Sequence, residues 1–309
     1  MNETPRANWS GRSLLVLGAG YVGGEVVREA LARGARVAAL TRNAEKAARL
    51  RAAGCAQVIE ADLAGDAWHA VAAGPFTAVV NCVSAGGGGM AAYRHSYVEG
   101  MRSIGRWLAG QPRGGTVVYT SSTGVYPQGG GAQVTEEAPA GTVEGTGALL
   151  REAELRLAEG ADAAGWRWFV LRLAGIYGPG RHGMLDELRR GAALLRGDPD
   201  HHLNLIHRDD ACGAVWACLE AAPVVRDEIF NVSDGAAVPR AEVAAWLAER
   251  LGVATPKYGD NRLAEGGTGG RRRAPDRIIA TEKIRALLGW RPEYPDFRAG
   301  YGPLLAGGA

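Results

Sequence analysis

Ser13-Leu14-Leu15-Val16-Leu17-Gly18-Ala19-Gly20-Tyr21-Val22-Gly23 is the stretch whose reading decides the fold. A short, mostly apolar run passes directly into glycines, as a strand buried on both faces does. From Tyr21 to Arg33 the residues Val22, Val26, Val27, Ala30 and Leu31 recur at helical spacing, and the pattern stops at Gly34. A GxGxxG string between such a strand and such a helix suits one physical task. Gly18 permits a tight turn, Gly20 lets the backbone approach a phosphate, and Gly23 lets helix and strand pack closely. Free amides at the helix start and the helix dipole favour the anion. The unit therefore predicts a dinucleotide with its pyrophosphate at the turn, held by Gly18, Gly20, Tyr21, Val22 and Gly23.

Working outward, strand and helix patterns alternate. Strands are predicted over 36–40, 57–61, 78–83, 116–120 and 167–173, and helices over 43–53, 148–158, 211–221 and 240–251. This spacing implies right-handed βαβ units, hence an α/β fold with a doubly wound parallel sheet of Rossmann type and a smaller C-terminal α/β region for substrate. Residues 1–12 are polar, contain Pro5 and read as a disordered arm. The dinucleotide-binding domain is expected over 13–175 with parts of 205–235, and the substrate-binding region mainly over 176–309. Residues 123–146, rich in Gly and Pro, read as a surface excursion beside the site, and residues 265–275 as a mobile loop.

The end of the second strand reports on the ribose. An acidic side chain there accepts from the adenosine ribose hydroxyls, but this chain has Thr41-Arg42-Asn43. Arg42 stands 19 residues after Gly23, where a guanidinium can pair with a 2′-phosphate, so the expected cofactor is NADP in preference to NAD. Asp62 and Leu63 follow the third strand and are expected along the adenine. Val83 and Ser84 follow the fourth and are expected near the middle of the cofactor, with Thr120 at the end of the fifth.

Composition narrows the function classes. The 309 residues are 47% hydrophobic and 22% charged with a net charge of +2, which gives no basic surface for nucleic acid or an acidic membrane. No run of 18 apolar residues is present, and the N-terminus lacks an apolar signal-peptide core. Cys55, Cys82, Cys212 and Cys218 follow neither a disulfide nor a metal spacing, so free thiols in a reducing cytoplasm are expected. His201-His202 has no third ligand at metal spacing.

Five further stretches carry a family resemblance alongside the glycine loop: Tyr119-Thr120-Ser121-Ser122-Thr123-Gly124-Val125-Tyr126, Leu171 to Arg181, Ile206-His207-Arg208-Asp209-Asp210, Phe230-Asn231-Val232-Ser233-Asp234 and Leu288-Gly289-Trp290-Arg291-Pro292. With them the chain resembles the extended short-chain dehydrogenase/reductase superfamily, which includes NAD-dependent epimerases and dehydratases, and within it an atypical branch with a GxGxxG loop. The resemblance implies a Ser or Thr after the fifth strand, met by Ser122, then a Tyr and a Lys four residues apart. Matching the next helix, with Glu154 at a frequent family Glu, puts Thr146 in the Tyr place and Leu150 in the Lys place. No Tyr lies between Tyr126 and Tyr177. The proton relay must then come from elsewhere. Ser122, Tyr126 and Tyr177 are the expected catalytic residues, with Tyr93, Tyr97, His207 and Asp209 as further candidates.

Three functions stay open: an NADP-dependent oxidoreductase acting on a small organic substrate, a redox-neutral epimerase, dehydratase or cyclase, and a dinucleotide-sensing protein without turnover. The family resemblance also implies a homodimer through helices near 91–108 and 148–158. Gly86 to Gly89 reads either as a lid hinge or as a plain loop. Arg271-Arg272-Arg273 reads either as an anion contact or as a solvated run.

Overall fold

The computed structural model describes residues 7–141, 145–259 and 275–306. The arginine run at 271–273, residues 265–274 of the expected loop and residues 1–6 of the expected arm lie outside it.

Seven parallel strands form the central sheet: β1 (Ser13–Leu17), β2 (Arg36–Thr41), β3 (Gln57–Glu60), β4 (Ala78–Asn81), β5 (Thr116–Ser122), β6 (Arg167–Leu173) and β7 (Glu228–Val232). Their spatial order is β7-β6-β5-β4-β1-β2-β3. Order reverses between β1 and β4, and Leu17 pairs with Leu40 on one side and Asn81 on the other. The crevice of a doubly wound sheet opens at that switch point, outside the carboxyl ends of the strands. The β7 strand was missed by periodicity because Glu228-Ile229-Phe230-Asn231-Val232 is too short and too polar to stand out.

The inner strands are buried on both faces because helices cover both, while the edge strand β3 keeps Glu60 exposed. Along β1, Leu14 and Val16 enter one core with α1 (Tyr21–Ala32), while Leu15 and Leu17 enter the other. α2 (Ala44–Ala52) joins α1 on the first face through Leu50, while α3 (Ala67–Val71) and α5 (Gly100–Leu108) cover the second through Trp68, Met101, Ile104 and Trp107; α4 (Gly89–Tyr93) and a π-helical turn over Arg94–Glu99 lead into α5. The 19-residue α6 (Thr146–Ala164) packs beside α5. The two helices approach closely at Gly105 and Gly160, where a Cβ on Gly160 would stand 2.9 Å from the Gly105 Cα.

The expected disordered arm is corrected over residues 7–12. Trp9 is buried, its backbone N–H donates to the Arg33 carbonyl (2.8 Å), and its indole lies edge-on to Trp216. A polar stretch with one tryptophan hid an anchor whose hydrophobic area outweighs its neighbours' preference for water. The expected excursion after Thr123 is likewise only partly superficial, for Val125, Tyr126 and Val134 are buried.

Between β6 and β7 lie α7 (Gly183–Arg189) and α8 (Arg208–Leu219), and after β7 come α9 (Arg240–Leu251), α10 (Glu282–Leu288) and α11 (Phe297–Ala306). Leu185, Leu188, Val243, Leu247, Phe297 and Tyr301 form a smaller core with Tyr177. This part is pinned to α8 by Asp210, whose carboxylate accepts the backbone N–H groups of Glu293 (2.6 Å) and Tyr294 (3.1 Å). Burial pushes the Asp210 carboxyl up to about 7 against the pull of those two amides. Between about pH 4 and 7 the folded protein therefore keeps a proton that the unfolded chain has released, so this group's contribution falls as pH rises. Urea unfolding at pH 5 and pH 8 should show the parent losing more stability at the higher pH than Asp210→Asn does. Equal pH dependence in the two proteins would refute this account.

Among the described residues no helix is long and apolar enough to cross a membrane.

Candidate active site

Along the carboxyl edge of the sheet runs an open cleft of about 290 Å³. Its lining includes Gly18, Gly20, Thr41, Arg42, Asn43, Asp62, Leu63, Val83 and Ser84, all expected from the sequence. It also includes Lys46, Cys82 and Ser96, which were not.

The three glycines have different surroundings. A Cβ on Gly18, where φ is +86°, would press on the Val83 backbone at 2.7 Å. A Cβ on Gly23 would meet the Gly18 carbonyl oxygen at 2.2 Å and the Cys82 Cβ at 3.2 Å. Nothing in the protein crowds Gly20, where the nearest atom to a Cβ is 3.9 Å away. Gly18 and Gly23 are thus filled by the protein itself, and Gly20 faces space left for something else. The first turn of α1 carries no acidic residue and no side-chain cap, so its amides stay available to an anion. Those are the surroundings a dinucleotide pyrophosphate needs, and the residues present fit it.

Tyr21, Val22 and Gly23 build the floor and do not line the cleft. Val22 is buried. Tyr21 turns away, its hydroxyl donating to the Pro179 carbonyl (3.0 Å) and its ring near the guanidinium groups of Arg181 and Arg208. It thereby ties the start of α1 to the loop after β6.

At the far end of the cleft, Thr41 Oγ1 accepts the Asn43 N–H (3.2 Å), and Asn43 caps α2 by accepting the Lys46 N–H (2.8 Å). That cap sets Arg42 and Lys46 together on the cleft wall. Arg42 pairs with Asp62 (3.1 Å), and Asp62 also meets the His95 Nε2 (3.0 Å). Burial pushes the Asp62 carboxyl up, but the Ala64 amide, His95 and Arg42 together hold it below the ordinary carboxylate range. The sequence signal for Lys46 was its place in the first turn of a capped helix opening beside Arg42.

Ser122 does not line the cleft; it closes β5 half-buried, its Oγ accepting the Gly124 N–H (3.0 Å). Thr120 does not line the cleft and donates to the Asn81 carbonyl (3.2 Å), tying β5 to β4. Leu150 is buried and Thr146 is exposed at the start of α6. A Cβ on Gly124 would lie 3.3 Å from the Ser122 Oγ and 3.6 Å from the Leu150 Cδ1, so these two side chains flank one spot. Cys82 has a thiol pushed up to about 12 by burial, so it stays protonated.

None of the three expected catalytic residues, Ser122, Tyr126 and Tyr177, lines the cleft, and the two tyrosines are committed elsewhere. Tyr126 is 2% exposed, donating to Asn231 Oδ1 (2.8 Å) and accepting from Arg172 Nη1 (2.7 Å). Arg172 in turn is clamped by Glu154 through Nε–Oε1 (3.0 Å) and Nη2–Oε2 (2.7 Å), and Ser121 donates to the same carboxylate (2.8 Å). Tyr126 is therefore spent on a buried polar network behind the strand. Tyr177 is 3% exposed, stacks on Tyr301 (4.8 Å) and meets His207 edge-on (5.4 Å). Its hydroxyl abuts Gly300 of α11. Burial, then the nearby Asp234, raises its pKa well beyond the ordinary tyrosine range, so it serves packing. Position at a strand end suggested both tyrosines, but a side chain at that register points into either the cleft or the core, and the residue type does not say which.

Residues 14–233 match the model of the NAD dependent epimerase/dehydratase family. The chain belongs to that family. Family membership makes it a relative of nicotinamide-dinucleotide-dependent enzymes and agrees with the seven-stranded sheet. The protein YeeZ of Escherichia coli strain K12 is 32% identical over 180 residues, 58% of this chain and 59% of that protein. A 3-diazoavenalumate denitrifying reductase from a Streptomyces species is 29% identical over 155 residues, 48% of this chain and 49% of that protein. The matches thus span about three fifths or less of these curated relatives. The UDP-glucose 4-epimerase of Thermotoga maritima, solved with UDP-glucose, superposes with a TM-score of 0.78 over 95% of this chain and 97% of that one at 18% identity, which shows a shared fold.

Proposed function

We propose that this family member is an NADP-dependent oxidoreductase of atypical extended type acting on a small organic substrate. The observation that carries the reading is the pair Arg42 and Lys46 on one wall of the cleft, with no acidic residue among Thr41-Arg42-Asn43. Two cations favour a 2′-phosphate, whereas an unphosphorylated ribose gives them no anion. The turn Gly18–Gly20 and the start of α1 would hold the pyrophosphate, Asp62 and Leu63 the adenine side, and Val83 and Ser84 the middle. The cofactor supplies a hydride donor or acceptor. Ser122 holds the substrate oxygen at the end of β5, where a hydroxyl at a developing charge lowers the barrier. The relative with reductase in its name supports net redox over a redox-neutral cycle. A homodimer through α5 and α6 belongs to the same proposal.

Fluorescence titration with NADPH and NADH tests the cofactor. NADPH should bind more tightly. Arg42→Asp should weaken NADPH by roughly ten- to a hundredfold, the size of a lost charge-assisted hydrogen bond, and leave NADH little changed. Lys46→Ala should act in the same direction. An unchanged preference in both variants refutes the assignment. Substrate conversion without net change in reduced-nicotinamide absorbance would favour the epimerase or dehydratase reading instead.

A further inference from the structure

At the two α6 positions where the family resemblance implies a Tyr and a Lys, Thr146 and Leu150 stand, and neither carries a titratable side chain. A tyrosine from a different element packs against the cluster that holds Leu150. Tyr97 lies on the π-helical turn Arg94–Glu99, a local widening that re-aims side chains and recurs at functional sites. Its neighbour Ser96 lines the cleft. Tyr97 is half-buried, and its Oη accepts the backbone N–H of Ala85 (3.4 Å), directly after the Val83–Ser84 lining. Its ring packs against the cluster containing Val125 and Leu150, and Leu150 is the side chain that shares Gly124 with Ser122. Among the described residues the hydroxyl accepts this one hydrogen bond and donates none. Its proton is therefore uncommitted. Burial raises its pKa, against the Ala85 amide, so at neutral pH the group is a proton donor and not a base.

We propose that Tyr97 is the acid that protonates the substrate oxygen, with Ser122 holding that oxygen. This rests on the oxidoreductase reading above. As a hydride adds to the carbonyl carbon with its electron pair, the C=O π pair moves to oxygen, and that oxygen takes the Tyr97 phenolic proton. The product is an alcohol, and the phenolate recovers its proton from water.

The test has two arms. In the first, the parent and Tyr97→Phe are titrated with NADPH, and their reduction of the carbonyl probe 9,10-phenanthrenequinone is followed. NADPH affinity should change by less than about twofold and KM by less than about threefold, while kcat falls about 10²–10⁴-fold, the share of a general acid. Placing 3,5-difluorotyrosine at position 97 should restore most of the rate and move the alkaline limb of the pH profile to lower pH. A Tyr97→Phe protein with unchanged kcat overturns the proposal. The second arm needs no turnover and decides the matter where the parent does not reduce the probe. Nitration of Tyr97 by tetranitromethane, read by mass spectrometry, should be blocked by NADP⁺ but not by 2′-phospho-ADP-ribose, which lacks the nicotinamide. Equal protection by both, protection by neither, or a ring that resists nitration overturns the proposal. Failure of the parent to bind NADPH is a separate result, which sinks the oxidoreductase reading itself.

Discussion

Glu154→Gln should destabilise the protein by about 3–5 kcal/mol, the usual cost of removing one partner of a buried ion pair. Glu154 and Arg172 are each 1% exposed and joined by two hydrogen bonds. Glutamine keeps the shape and removes the charge, so the guanidinium is left buried and uncompensated between Tyr126 and an amide. Ser121 and Arg151 donate to different oxygens of Glu154, so whichever oxygen becomes the amide nitrogen, one of the two loses its acceptor as well. Tyr126→Phe should cost less, about 1–3 kcal/mol, because it leaves Asn231 Oδ1 and Arg172 Nη1 short of one partner without stranding a charge. Urea unfolding measures both. A Glu154→Gln protein within about 1 kcal/mol of the parent would mean that the pair is solvated in solution. Replacing Glu154 by Leu together with Arg172 by Met should cost less than the two single changes summed, since neither charge is then stranded.

The second large effect separates two glycines three residues apart. Gly20→Val should abolish dinucleotide binding, by at least about a hundredfold or ~2.7 kcal/mol, while leaving the fold nearly intact. Its φ is −89°, which any residue adopts, and its Cβ would project into open cleft. The cost to stability is that of a poor helix cap, about 1 kcal/mol. Gly23→Ala should show the reverse order of effects. Its Cβ would collide with a backbone oxygen, so the turn or α1 must move, at a cost of about 1–3 kcal/mol or more. Binding then falls because the turn is displaced. Thermal unfolding and NADPH titration on both variants distinguish the cases. Normal NADPH affinity in Gly20→Val would place the pyrophosphate elsewhere.

The parallel sheet and its glycine turn were readable in the sequence because they rest on local chemistry. A double-sided apolar strand, a turn only glycine can make and a helix stopped by glycine all leave marks within 25 residues. The cleft lining from Thr41 to Ser84 followed from the same logic, since it falls at successive strand ends. What escaped depended on contacts distant in sequence. Trp9 finds Trp216 and Glu220, about 210 residues away. Tyr126 finds Asn231, 105 residues away. Lys46 escaped for a different reason, and Tyr97 stood only among several further candidates. Each sits on a helix whose docking local sequence does not fix, set by an Asn43 cap in one case and a π-turn in the other.

The anchoring of α8 also orders events during synthesis. The Asp210 carboxylate waits for two amide donors that lie 83 and 84 residues further along the chain. Arg277, whose guanidinium donates to the carbonyls of Thr123 and Tyr126, arrives just as late. At about 5–20 residues per second, a ribosome needs roughly 4–17 s to travel from residue 210 to residue 294. Through that interval the nascent sheet stands with the end of β5 unbraced and the α8 carboxylate unsatisfied. The half-made protein is thus a candidate client for holding chaperones, and ribosome profiling of trigger-factor engagement would show whether contact persists until codon 294 has been passed.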